Sequence, residues 1–298
     1  MKKNILMFLA LMLLISCTGH HNDKTAQKDT TYTYTDDYGT VATVPTHPTR
    51  IVSVSPGVTE IIFALGAQDL LVGRTDFCTY PAEVKKIESI GGISNLNIEK
   101  ILSLKPDLVI SGSMVPRQSV VKMNELGSPL VCVIEQQRFD SLYSNIKKVG
   151  RLVGVSQRAD SLNQVLKARL AKVSNKVDTS LPYDKRPSVY YVVGFGKGGN
   201  FTAGGNTFIN DIIRLAGGRN IAQDVTGWSY SLEALFKNNP DYIVIRSEDS
   251  AAFCTQAPYR RLRAVKNGHV ITVKNGLLDL QTPRNVDAVE MLARALAK

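Results

Sequence analysis

Apolar and polar positions divide the chain into three stretches. Residues 5–15 run almost without a polar side chain, behind Lys2 and Lys3. From residue 18 to about 44, Thr, Asp, Lys and Tyr dominate and apolar residues are scarce until Val41. Beyond Pro48, short β-branched runs alternate with segments of helical spacing. Strands are predicted at 50–54, 70–73, 107–110 and 130–134. Between them the pattern predicts helices at 59–65, stopped by Gly66, at 98–104, capped by Asn97, and at 121–126, closed by Gly127. From Phe139 to Val173 there is no Pro, and apolar residues at 142, 146, 149, 152 and 153, then 162, 165, 166, 170 and 173, keep a helical period. A break at 154–156 leaves a second helix over 157–177, about 30 Å long. Strands follow at 188–193, 241–245 and 270–273, with helices at 208–215, 232–236 and 286–296.

Strand, helix, strand at this spacing means mostly parallel sheets covered by helices. The expected fold class is α/β: two three-layer α/β lobes joined by one long helix. Both lobes repeat one phrase, helix then Pro-Asp then buried strand. Its copies are Lys105-Pro106-Asp107-Leu108-Val109-Ile110 and Asn239-Pro240-Asp241-Tyr242-Ile243-Val244. The layout is a signal at 1–17, a flexible tether at 18–44, an N-terminal lobe at 45–150, the linking helix at 157–177 and a C-terminal lobe at 186–298. Within the tether, 34–45 can close as a short hairpin around Asp37-Tyr38-Gly39.

The basic start and short apolar run have the form of a secretory signal, too short to span a bilayer. It ends in Leu14-Ile15-Ser16-Cys17, which is similar to a bacterial lipobox. That resemblance implies acylation of Cys17 and a lipid-anchored, exported protein facing the periplasm or exterior, held on a bilayer by several chains. The chain has 298 residues, 36 Lys and Arg against 26 Asp and Glu, and a formal net charge of +10. Residues 1–16 carry two of the lysines and no acid, so the processed chain carries +8. Apart from Arg260, Arg261 and Arg263 the cations are scattered, which argues against nucleic acid as a partner.

Catalytic signatures are missing. His20, His21, His47 and His269 are the only histidines, with no His-x-x-x-His and no close Cys pair, so neither a metal site nor an enzyme is expected. Gly194, Gly196 and Gly199 fit a dinucleotide pattern, yet Asn200-Phe201-Thr202 follows in place of an apolar helix start. They read instead as a loop that lets a bulky ligand approach the backbone. Cys132 belongs to a buried strand, and Cys78 and Cys254 are taken as unpaired.

Several segments resemble the solute-binding proteins of ABC importers that carry ferric siderophores, haem and vitamin B12. They are Arg50-Ile51-Val52-Ser53 through Thr59-Glu60, Gly73-Arg74-Thr75-Asp76-Phe77-Cys78-Thr79-Tyr80-Pro81, Thr202-Ala203-Gly204-Gly205-Asn206-Thr207-Phe208, and Ala216-Gly217-Gly218-Arg219-Asn220. Together with Ile90-Gly91-Gly92 and Leu262-Arg263-Ala264-Val265-Lys266-Asn267-Gly268 they span 48–298. The resemblance implies a monomeric receptor, stiffened by its linking helix, that closes little on its ligand. It would serve an ABC permease dimer with its ATPase and catalyse nothing.

A two-lobed receptor binds where strand-end loops meet. The expected ligand residues are Asp76, Phe77, Tyr80, Met114, Phe195, Phe201, Trp228, Tyr230 and Arg246. The resemblance places an aromatic at Trp228 on the ligand, and it presents one glutamate from each lobe, Glu60 and Glu233, to the permease. No cofactor of its own is implied; the cargo would bear cobalt or iron. A corrinoid is favoured by the neutral glycine-rich loop and the absence of a clustered basic pocket. Siderophore and haem stay open, because Ile93-Ser94 and Gly112-Ser113 stand where B12 receptors carry tryptophans. For haem, Tyr80 and Tyr230 are the available axial donors. A non-transport surface lipoprotein is the rival class, and a filled seam between the lobes would mark it.

Overall fold

Thr31–Thr35 (β1) and Val41–Pro45 (β2) pair antiparallel through a turn at Gly39, whose φ of 74° suits glycine. Tyr34, Ala42 and Val44 face inward while the threonines alternate outward. The Asp36 carboxylate accepts the amides of Tyr38, Thr40 and Cys132, and Asp37 accepts the Ile134 amide and the Lys148 ammonium. Residues 31–45 are therefore folded, with a hairpin that starts three residues before the 34–45 expected within the tether. The computed structural model describes residues 30–134, 136–177 and 181–297. The expected signal, Cys17, His20, His21 and the first part of the tether lie outside the described residues.

The N-terminal lobe runs β3 (Ile51–Ser53), α1 (Pro56–Ala64), β4 (Leu71–Arg74), α2 (Ile98–Ser103), β5 (Leu108–Ser111), α3 (Arg117–Glu125) and β6 (Leu130–Cys132). Its strands form a parallel sheet in the order β4-β3-β5-β6. β6 is one of the sheet's two edge strands, and the Asp36 and Asp37 contacts cover its free backbone groups, the usual remedy for an exposed edge. α4 (Ser141–Leu152) and α5 (Ser156–Ser174) then lead to the second lobe. That lobe comprises β7 (Ser188–Val192), α6 (Phe208–Leu215), β8 (Arg219–Asn220), α7 (Leu232–Asn238), β9 (Tyr242–Arg246), α8 (Ser247–Thr255), α9 (Arg263–Lys266), β10 (Val270–Val273) and α10 (Arg284–Leu296). Its parallel sheet is ordered β10-β9-β7-β8. Numbered within each lobe, both sheets read 2-1-3-4.

Each sheet is covered on both faces. One core cluster joins Ile51 and Ile62 with Leu142, Ile146 and Val149 of α4, Leu166 of α5, Ile212 of α6 and Leu292 of α10. Separate clusters fill the opposite faces, around Ile101 and Met123 in the first lobe and around Leu235 and Phe253 in the second. α5 is bound to both lobes. Near its start the Arg158 guanidinium donates to the carbonyls of Leu65 and Gly66, and farther along Arg169 pairs with Asp287 and Glu290 of α10. Against α4, Gly150 packs so closely that a Cβ there would sit 2.4 Å from the Ala159 Cβ.

The repeated phrase is also a structural repeat. Asn97 and Ser231 cap α2 and α7 by accepting amides three residues on. Lys105 and Asn239 end the two turns with φ of 48° and 37°. The following carboxylates then hold the first strand of each lobe. Asp107 accepts from Thr49 and the Arg50 amide, and Asp241 accepts the amide and hydroxyl of Ser188.

Candidate functional site

The three loops that leave β3, β4 and β5 converge at the strand ends where the order of the first sheet reverses, the usual ligand position in an open α/β sheet. Ser55 accepts the Val58 amide and starts α1 there. Facing these loops is the segment Asn275–Leu280 after β10, with Arg284 at the start of α10. They enclose a cavity of about 520 Å³, lined by Val54, Ser55, Phe77, Tyr80, Ile93 and Met114 on one side and Asn275, Asp279, Leu280 and Arg284 on the other. The seam between the lobes is thus open at this point, unlike the filled seam expected of the rival class.

The cavity is apolar with hydroxyls and amides set into it. Phe77, Tyr80 and Met114 are 60%, 47% and 64% exposed, large apolar side chains held at the rim without partners of their own to bury them. Its charged side chains are Glu60, Asp279 and Arg284. Arg284 donates Nε (2.8 Å) and Nη2 to the two Glu60 oxygens, and its Cζ lies 3.9 Å from the Tyr80 ring centroid. Asp279 accepts the Tyr191 hydroxyl at 2.6 Å. Burial, and then the Asp279 charge, push Tyr191 well above its ordinary value, so it remains a neutral donor.

Of the expected ligand residues, Phe77, Tyr80 and Met114 line this cavity. Asp76 does not; its carboxylate accepts the Ser89 hydroxyl and lies 3.8 Å from Arg74. Phe195 stands edge-on to Phe253 and Tyr259 within the second-lobe core. Tyr230 is buried beside Tyr190, with its hydroxyl donating to the Ile221 carbonyl and accepting from Asn238. Arg246 is engaged by Asp249 and the Val193 carbonyl. In this structure these four lie outside the cavity lining, each polar or aromatic group having a partner inside its own lobe. Phe201 and Trp228 are exposed on neighbouring loops, bridged through Phe201 and Ser229, beyond the cavity lining.

Glu60, expected at the permease face, is 5% exposed and bound to Arg284 across the cleft. Glu233 is exposed in the first turn of α7. The internal repeat supplies its counterpart: Glu99, exposed in the first turn of α2, two residues after the cap exactly as Glu233 follows Ser231. Sequence reading missed Asn275 and Glu99, and took 277–284 as a ligand loop without singling out Asp279. Only the repeat of Asn97-Ile98-Glu99 with Ser231-Leu232-Glu233 could have exposed Glu99. Among the described residues no cluster of three or more His, Cys, Asp or Glu side chains could hold a metal ion. Cys78, Cys132 and Cys254 are free, and Cys78 is buried against the hydroxyls of Thr59 and Thr75.

Comparison with known proteins agrees with this geometry. A family model described as periplasmic binding protein matches residues 51–277, and the chain belongs to that family. It is 33% identical over 300 residues to an uncharacterised ABC transporter substrate-binding lipoprotein of Bacillus subtilis, YvrC, covering 97% of this chain and 95% of that protein. It is 30% identical over 274 residues to a cobalamin-binding protein of Halobacterium salinarum, covering 87% of this chain and 72% of the relative. The fold superposes on the periplasmic haem-binding protein RhuT of Roseiflexus sp. RS-1 in its apo form with a TM-score of 0.74 at 27% identity, covering 83% and 97% of the two chains.

Proposed function

We propose that the protein is the substrate-binding lipoprotein of an ABC importer, anchored through Cys17, and that it captures vitamin B12 or a related corrinoid in the cleft. The observation that carries this reading is the cavity between the lobes, apolar and aromatic at its rim, whose one lining cation among the described residues is already paired. A corrinoid presents a broad, largely uncharged face edged with amides. Apolar rim side chains and the amides of Asn95 and Asn275 are the complement of such a face. The cobalamin-binding relative supports the choice. Trp228 and Phe201, exposed on second-lobe loops, are proposed to meet the ligand once it is seated. The protein supplies binding and orientation and performs no chemistry on its cargo.

Haem is the second reading, favoured by the Tyr80 ring at the cleft and by the likeness to RhuT. Neither described histidine, His47 nor His269, lines the cavity, and Tyr230 is withdrawn from it. Titrating the fluorescence of the lone tryptophan with cyanocobalamin and with haemin, each in wild type and Tyr80→Phe, separates the two. Corrinoid binding that survives loss of the hydroxyl supports the first reading, and haemin binding that is lost with it supports the second.

For delivery, the proposed contacts with the permease are Glu99 and Glu233, one on each lobe at equivalent places in the repeat. Charge reversal at both, Glu99→Lys with Glu233→Lys, is expected to abolish uptake and leave ligand affinity intact. Uptake that persists removes this assignment.

A further inference from the structure

Among the charged side chains that line the cleft, two carboxylates face one guanidinium. The cation is not free to receive an anion. Arg284 commits Nε and Nη2 to Glu60 in a bidentate pair, its plane lies over Tyr80, and only Nη1 is left outside the pair. The two partners stand on opposite walls, on α1 and at the first residue of α10, and both are largely withdrawn from solvent. Asp279 is held in place by the Tyr191 hydroxyl and the Gly276 amide, which both donate to it.

We propose that the Glu60–Arg284 pair sets the charge selectivity of the cleft: it admits ligands with an uncharged contact face and excludes polyanionic chelates. This rests on the reading of the cavity as the ligand site, and it holds for any cargo bound there. The physical reason lies in what an anionic ligand would have to do. To take more of Arg284 than its Nη1 it must displace Glu60, leaving that carboxylate buried without its cation, with Asp279 as a second carboxylate in the same cavity. Removing one member of a buried pair is costly because the other keeps its charge and loses its compensation. A neutral ligand leaves the pair intact and meets only apolar rim, amides and hydroxyls. The pair also spans the two walls, so the same interaction holds the lobes in register around the cavity.

The test uses matched probes that differ in charge and little in shape. One set is cyanocobalamin and a derivative with peripheral amides hydrolysed to carboxylates. The other is a neutral ferric tris-hydroxamate and a tri-anionic ferric tris-catecholate. Affinities are measured for residues 18–298, which contain the whole compact unit Thr31–Lys298. Wild type is expected to favour the neutral member of the set it binds by tenfold or more. Glu60→Gln keeps the shape and removes the competing charge, and should shrink that preference by roughly tenfold, about what one freed charge partner contributes across a desolvated contact. The swap Glu60→Arg with Arg284→Glu restores a pair and should restore the preference, which separates charge selectivity from simple loss of folding. Discrimination within the ferric set alone would remove the corrinoid reading and leave this inference standing. Equal affinity for the members of a set, a preference unmoved by Glu60→Gln, or binding of neither set would overturn it.

Discussion

Gly150 and Ala159 fix how the helix pair α4–α5 carries one lobe to the other, and the replacement Gly150→Ala tests that packing. A methyl at Gly150 would stand 2.4 Å from the Ala159 Cβ, at least 1 Å inside ordinary van der Waals contact. Both atoms are anchored directly to helical backbone, so no rotamer relieves the clash and the helices themselves must separate. Overpacking of this kind costs roughly 1–3 kcal/mol. In the same variant, replacing a helical glycine by alanine, here in the last turn of α4, returns up to about 1 kcal/mol of propensity. The expected net loss is about 0–2 kcal/mol, with about 2–4 °C in the melting midpoint per kcal/mol for a chain of this order. Ala159→Gly alone should also destabilise, because it gives up propensity and a buried methyl. Combining the two moves one methyl from α5 to α4 and removes the clash. The double variant should therefore be more stable than the sum of the single losses predicts, by an interaction of about 1–2 kcal/mol within the range seen for contacting residues. The assay is urea unfolding followed by circular dichroism. Strict additivity would refute the idea that these two positions meet, and with it the close approach of α4 and α5.

Other expectations follow from the free thiols and the ion pairs. Cys78 and Cys132 are buried, and burial pushes the Cys132 thiol up to about 11, so native residues 18–298 should expose one reactive thiol, Cys254, to a disulfide reagent; three fast thiols would contradict the packing. Hydrogen bonding from Arg169 holds the Glu290 carboxyl below its ordinary value of 4.5. A depressed folded-state value stabilises above the unfolded pKa and is lost as pH falls through the folded one. Acid unfolding midpoints should thus drop more steeply below about pH 4.5 in wild type than in Arg169→Gln, by the ~0–1 kcal/mol of a largely exposed pair; parallel curves would remove the contribution. Asp107→Ala and Asp241→Ala each strip two or more hydrogen bonds from the first strand of a lobe, and each should cost about 1–3 kcal/mol by thermal unfolding.

Seven of the eight strands of the two lobe sheets were legible because each is a short apolar run rich in β-branched residues and bounded by turns; β8, the two residues Arg219–Asn220, has no such run and was not read. The Pro-Asp repeat pointed to two like lobes. The hairpin at 31–45 was less legible. Its composition is that of a tether, and what orders it is a pair of aspartates hooked on β6 almost a hundred residues away. α8 escaped notice because only Phe253 of its residues is buried, which leaves no periodic signal. At the cleft, loop aromatics looked alike in sequence. Phe77 points to the cavity while Phe195 and Tyr230 turn into the core, a difference decided by tertiary packing alone. Glu60 read as an exposed helix-start acid; its partner lies 224 residues downstream, and no local pattern joins them.

The central claim, a corrinoid receptor that binds in the cleft, is tested most directly by calorimetric titration of residues 18–298 with cyanocobalamin, in wild type and in Tyr80→Ala. The expected result is one-to-one binding at nanomolar to low-micromolar Kd, weakened about tenfold or more when the rim aromatic is truncated. No heat at several temperatures, or binding indifferent to Tyr80, would contradict it.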